Sequence, residues 1–123
     1  MDILAHTRPD ISWAVSRAAS LVASDPELCR VRLKHILQYL HHTLQFGLKY
    51  TSMDSFVGFT HVHTDASLCP TREKSHQGVA IMLGASLLSW ASNRQALVAL
   101  SSAEAELIAL VSGLQLGESI SAQ

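Results

Sequence analysis

Hydrophobic positions change period near residue 48, and the change divides the chain into two kinds of structure. Before it, Ile11, Ala14, Val15, Ala18, Ala19 and Val22 recur at helical spacing. Pro9 precedes them, and Asp10 suits the N-cap of this first helix. Ser24-Asp25-Pro26 ends that helix and begins the next. A second helix is expected from about Glu27 to Gln45, with Val31, Leu33, Ile36, Leu37, Leu40 and Leu44 as its apolar stripe and Gly47 as its stop. After residue 48 the pattern turns strand-like. Leu48 to Tyr50, Phe56 to Thr64, Gly78 to Leu83 and Leu87 to Ala91 read as strands, the last two joined by a Gly84-Ala85-Ser86 turn. A polar loop spans Asp65 to Gln77 and holds Pro70, Arg72, Glu73 and Lys74. A third helix follows from about Ser102 to Leu116, marked by Ala103, Leu107, Leu110, Val111 and Leu114. The expected order is helix, helix, three strands, helix, with the parts meeting at 47/48.

Composition supports folding. Of 123 residues, 48% are apolar, enough to build a core. Ser75 to Asn93 contains no Lys, Arg, Asp or Glu, but His76-Gln77, Gly78, Gly84 and three serines break it. Two short buried strands therefore explain it better than a membrane span. The start of the sequence has no basic segment leading into a long apolar run, so an intracellular setting, cytoplasm or nucleus, is expected. Cys29 and Cys69 lie far apart outside any CxxC pattern and read as free thiols.

Charge is uneven although the net is −1. Residues 1–50 carry six Lys/Arg against four Asp/Glu, and residues 51–123 carry three against six. The second helix collects Arg30, Arg32 and Lys34 with His35, His41 and His42, a set that could contact phosphates or form a solvated face. Trp13 and Trp90 sit in apolar stretches and read as core.

Two carboxylates stand out in the acidic half. Asp65 lies in Thr64-Asp65-Ala66-Ser67 at a strand end, and Glu106 lies on the following helix. Carboxylates converging from strand and helix can hold Mg²⁺ for phosphodiester hydrolysis, although ordinary surface charge explains the same residues. Ser101 and Glu104 fit a capping box, with Ser101 as N-cap. Glu106 sits about 200° around the helix from Glu104, so the two cannot share one task, and Glu106 keeps the site role by elimination. His61, His63 and Asp65 alternate on one strand face, which offers a transition-metal site or a half-exposed polar strand.

Longer motifs give these residues a setting. Thr7-Arg8-Pro9-Asp10-Ile11 followed by Ala14-Val15-Ser16-Arg17, then Leu33-Lys34-His35-Ile36-Leu37-Gln38-Tyr39-Leu40, resemble the region after the polymerase core in Ty1/copia-type retrotransposon Pol polyproteins. Thr64-Asp65-Ala66-Ser67, Arg72-Glu73-Lys74-Ser75-His76-Gln77-Gly78, Leu88-Ser89-Trp90-Ala91-Ser92 and Ser101-Ser102-Ala103-Glu104-Ala105-Glu106-Leu107 resemble that family's RNase H domain, in the same order. The resemblance implies a mixed α/β chain. Residues 1–47 would be a helical reverse-transcriptase tail and 48–123 the first part of an RNase H-like domain, an antiparallel three-stranded meander and then a helix. It implies Mg²⁺- or Mn²⁺-dependent hydrolysis of the RNA strand of an RNA–DNA hybrid, with Asp65 and Glu106 as catalytic metal ligands. Ser67 replaces a frequent second acid, and the family's later aspartates fall beyond residue 123. Weak metal binding and little activity alone are therefore expected. The rest of the polyprotein would be a partner, and an open sheet edge invites self-association. The alternative is a non-catalytic module holding nucleic acid or protein through Arg30, Arg32 and Lys34.

Overall fold

The computed structural model describes residues 7–50, 59–69, 71 and 73–122. The chain divides into two compact units, Met1–Leu48 and Lys49–Gln123.

The first unit is helical. A 3-10 turn over Pro9–Ile11 leads into α1, Ser12–Ala19, and α2 spans Pro26–His42. Asp25 caps α2 by accepting a hydrogen bond from the Leu28 backbone N–H at 3.0 Å, and Pro26 occupies the first turn, where its missing N–H costs nothing. Ile11, Ala18 and Ile36 form the buried core, flanked by Ala14, Val15 and Leu40. The apolar stripe read from sequence on α2 is only partly used. Val31, Leu33, Leu37 and Leu44 are exposed, while Cys29 and Ile36 are buried.

Asp10 does not cap α1. The Arg8 guanidinium takes both of its carboxylate oxygens, Nε to Oδ1 at 3.0 Å and a terminal nitrogen to Oδ2 at 2.8 Å, and the Tyr39 hydroxyl donates to Oδ2 at 2.9 Å. Arg8 is itself buried and also donates to the Thr43 carbonyl at 3.1 Å and to Thr43 Oγ1 at 2.7 Å. Thr43 Oγ1 donates in turn to the Tyr39 carbonyl at 2.7 Å. That capture explains why α2 stops at His42 rather than running to Gln45 and Gly47. Arg8 and Thr43 satisfy the orphan carbonyls of the last turn three residues early. Likewise α1 closes at Ala19, leaving Val22 exposed.

Arg8, and secondarily the Tyr39 hydroxyl, hold the Asp10 carboxyl below its ordinary value of 3.8. A depressed folded-state pKa gives stability that is present above the unfolded value and lost as pH falls through the folded one. The helical unit should therefore lose stability as pH drops below about 4. Asp10→Asn should remove that part of the dependence, as circular dichroism melts across pH would register.

The second unit is an antiparallel meander covered by one helix. Strands β1 (Thr60–Ser67), β2 (His76–Leu83) and β3 (Ser86–Arg94) pair in the order β1-β2-β3, and α3 spans Ser102–Ser121. Gly84, at φ 60°, opens the two-residue turn between β2 and β3, a conformation that favours glycine. The ladder shifts register between Ile81 and Met82, so that Met82 pairs with Leu87 while Ile81 pairs with Ser89. Leu48 to Tyr50 form no strand, since the described residues offer them no partner ladder. The expected strand start at Phe56 to Gly58 lies outside the described residues, as do Pro70 and Arg72. The uncharged stretch Ser75 to Asn93 forms the β2–β3 hairpin, and no helix among the described residues is long and apolar enough to cross a membrane. Both cysteines are free.

The buried face of α3 differs from the expected one. Leu107, Leu110, Val111 and Leu114 are exposed, and Ala105, Ala109, Gly113 and Gly117 face inward. Small residues let the helix axis approach the sheet. A Cβ on Gly113 would collide with Thr64 Cγ2 and lie 2.9 Å from Val62 Cγ1, and one on Gly117 would lie 3.2 Å from Val62 Cγ2. The same packing carries α3 past Leu116, because Gly117 is a contact residue and not a stop.

Candidate functional site

Alternation along β1 sets where Asp65 points. Val62, Thr64 and Ala66 are half-buried, and the first two meet α3 at Gly113. His61, His63, Asp65 and Ser67 are exposed on the opposite face. Asp65 pairs with Gly78 on β2, which leaves open space above that side of the ladder. β1 is an edge strand of the described sheet, so Asp65 stands at its rim.

Glu106 is positioned by the helix start. Ser101 Oγ accepts from the Glu104 N–H at 3.2 Å, and Glu104 Oε2 reaches back to accept from the Leu100 N–H at 2.8 Å, one residue before the N-cap. Gln95, almost wholly buried, donates from Nε2 to the Ala105 carbonyl at 2.7 Å and pins the first turn. Gly113 and Gly117 successively meet Thr64 and Val62, so α3 runs antiparallel to β1 and its N-terminal turns lie toward the Asp65 end. At about 100° per residue, Glu106 lies within about 20° of the azimuth of Gly113, two turns away. Glu106 therefore leaves the helix on its β1 side. Glu104 lies nearly opposite, away from the sheet, with its carboxylate engaged in the cap.

Asp65 and Glu106 are thus placed toward the same end of one edge strand, from different sides of the sheet. Among the described residues, no group of three or more His, Cys, Asp or Glu is arranged to hold a metal ion. That corrects the transition-metal reading of His61, His63 and Asp65. Strand residues two apart stand side by side about 6.6 Å from one another, and the two imidazole rings run nearly parallel with centroids 6.4 Å apart. Ligands to one ion must instead converge to about 2 Å from it.

The basic residues also separate. Arg30, Arg32 and Lys34 are all exposed on α2. Arg30 and Lys34, four apart, share one face, and Arg32 lies about 200° from each. They do not form one patch. Trp13, read from sequence as core, is 56% exposed. Sequence reading missed the joint role of Arg8, Tyr39 and Thr43. The signal available was the Arg8-Pro9-Asp10 triplet, in which a cation and an anion two residues apart straddle a proline.

Known proteins are similar to this chain over most of its length. The chain is similar to the secreted RxLR effector protein 161 of Plasmopara viticola, 35% identical over 120 residues that cover 94% of this chain and 81% of the effector. It is similar to the retrovirus-related Pol polyprotein from transposon RE1 of Arabidopsis thaliana, 34% identical over 108 residues. Those residues are 86% of this chain but 7% of that polyprotein. An uncharacterized mitochondrial protein of the same plant is 32% identical over 111 residues, 89% of this chain and 46% of the relative. No family model and no solved structure matches.

Proposed function

The chain belongs to the Ty1/copia-type retrotransposon Pol family, and from that membership we propose that its sheet-bearing unit is of RNase H-like descent, with Asp65 and Glu106 as the acid pair. Residues before the sheet then correspond to the helical tail of a reverse transcriptase. The observation that carries this reading is the placement of the two glutamates on α3. Glu104 is used by the cap, whereas Glu106 leaves the helix on the β1 side, toward the strand end that bears Asp65. A carboxylate on an edge strand and one on the crossing helix can approach a hybrid's backbone from two sides.

The donor chemistry suits Mg²⁺ or Mn²⁺ in kind, since both side chains offer hard oxygen ligands. It is short in number. Mg²⁺ gives up its waters reluctantly, and two carboxylates without a third ligand should bind it weakly. When bound, such an ion would activate water and stabilise the leaving oxygen of a phosphodiester. Because they project from different sides of the sheet, Asp65 and Glu106 do not converge on one ion as they stand; each would offer a single ligand, and the RNA–DNA hybrid's own phosphates or the rest of the polyprotein would supply the others. The open edges of the three-stranded sheet and the exposed Leu107, Leu110, Val111 and Leu114 are where the rest of the polyprotein, or a second copy, would pack.

This reading predicts little or no cleavage of a labelled RNA–DNA hybrid by the chain alone in Mg²⁺ or Mn²⁺. Hybrid cleavage should appear only with the remaining Pol sequence supplied, and should fall by roughly 100-fold or more in Asp65→Asn and Glu106→Gln. Robust cutting by the isolated chain would refute the incomplete-site view. Restored cutting indifferent to both substitutions would refute the acid pair.

A further inference from the structure

The back of α3 carries an apolar face that the sheet does not use. Ala105, Ala109, Gly113 and Gly117 turn inward, while Leu107, Leu110, Val111 and Leu114 stand between 43% and 60% exposed. Leu100, Ala103, Leu107, Leu110 and Leu114 follow at intervals of three, four, three and four, the spacing of a coiled-coil seam. Leu100 precedes the helix, yet Glu104 Oε2 accepts its N–H at 2.8 Å and holds it at the head of that seam. A helix that is apolar on both faces is ordinarily covered on both.

Symmetry, area and charge select the cover. Turned end for end against a copy of itself, the seam sets Leu107 on Leu114 and Leu110 on Val111, the self-complementarity that a two-fold axis requires. No charged side chain lies between Glu106 and Glu118, so nothing along those turns repels a like surface. Leu100 and the four exposed α3 residues leave roughly 550 Å² in solvent, so two copies can bury up to about 1,100 Å², just above the ~1,000 Å² that a specific interface needs. End-for-end pairing also places Ala103 opposite Glu118, with each Glu118 carboxylate beside the positive N-terminal end of the other helix. Pairing in the same direction would instead stack Glu118 on Glu118 and align the two helix dipoles.

We infer that α3 binds a second copy of this chain through this seam, antiparallel, with the two-fold axis between Leu110 and Val111. The modest area makes the dimer reversible, with dissociation on the order of micromolar. The contact uses the face turned from the sheet, and Glu106 leaves the helix on the other side. Pairing therefore stands or falls without the acid pair.

The test uses the whole chain. Sedimentation equilibrium across a wide concentration range should resolve monomer and dimer and no larger species. Leu107→Ser with Leu114→Ser should weaken the dimer roughly 30-fold or more. The circular dichroism of that variant should match the parent, since neither side chain is buried. Leu33→Ser with Leu37→Ser, at exposed positions of α2, should leave association within about two-fold. Direction is read by oxidative cross-linking in a Cys69→Ser background, in which Cys29 stays buried. Leu110→Cys lies beside the axis and should give a disulfide-linked dimer. The two copies of Ala103→Cys stand about 22 Å apart along an antiparallel seam and should not link. A monomer at every concentration would overturn the inference. So would a dimer that survives the loss of Leu107 and Leu114, which would put the contact at a sheet edge, or open-ended aggregation, which would mean an unspecific apolar face. Linking through Ala103 but not Leu110 would overturn the antiparallel arrangement.

Discussion

Gly113→Leu should push α3 away from the sheet and strongly destabilise the second unit. The Cβ alone would collide with Thr64 Cγ2 and lie 2.9 Å from Val62 Cγ1. Both neighbours are β-branched and have little rotamer freedom with which to yield. Three further carbons would enlarge the overlap, and overpacking of this kind costs about 1–3 kcal/mol and occasionally more. A unit of this size has only about 4–11 kcal/mol in total, and α3 is the one described helix that covers its sheet. Thermal melts of the variant should show the unit's transition displaced strongly downward or lost. Gly78→Ala is the matched control. A Cβ there meets nothing within 4 Å, and no positive φ is required. Its melting should stay within about 0.5 kcal/mol of the parent. If Gly113→Leu melts like Gly78→Ala, the close helix–sheet approach is wrong, and with it the argument that orients Glu106.

That approach also shows what the sequence could reveal about the fold. The meander was legible because its signals are local. Uncharged β-rich runs flank a Gly84 turn, and Ser101 and Glu104 announce the start of α3 within four residues. The buried face of α3 was not legible from side-chain size. Leu107, Leu110 and Leu114 recur at helical spacing and look like a core stripe, yet the stripe that meets the sheet is alanine and glycine. Interhelical or helix–sheet distance is a property of two surfaces, and a single sequence shows only one of them. Asp10 failed for the same reason. As a cap it was a sound local reading, but Arg8, held by Thr43 from far along the chain, competes for the carboxylate and wins with two charge-assisted hydrogen bonds. At the candidate site, the capping box of Ser101 and Glu104 separated Glu104 from Glu106, which spacing alone could not do. Deciding which faces β1 took the contacts of Gly113.

Ile36 and Trp13 were indistinguishable as core residues by pattern, and mutation should separate them sharply. Ile36 is 8% exposed and packs with Ile11 and Ala18 at the centre of the first unit. Ile36→Ala removes three carbons from a core with few other members, at a cost of about 2–5 kcal/mol. A unit of fewer than fifty residues has roughly 2–7 kcal/mol to lose, so its helical signal should melt well below that of the parent chain or be absent at room temperature. Trp13 is the larger side chain, and burial-by-type would rank its truncation as worse. Its exposure reverses the order. Trp13→Ala deletes an indole that is 56% exposed and leaves Ile11, Ala18 and Ile36 in contact, so it should cost less, about 1–2 kcal/mol. Denaturant titrations followed by far-ultraviolet circular dichroism would measure both. A Trp13→Ala variant as unstable as Ile36→Ala would return the indole to the core.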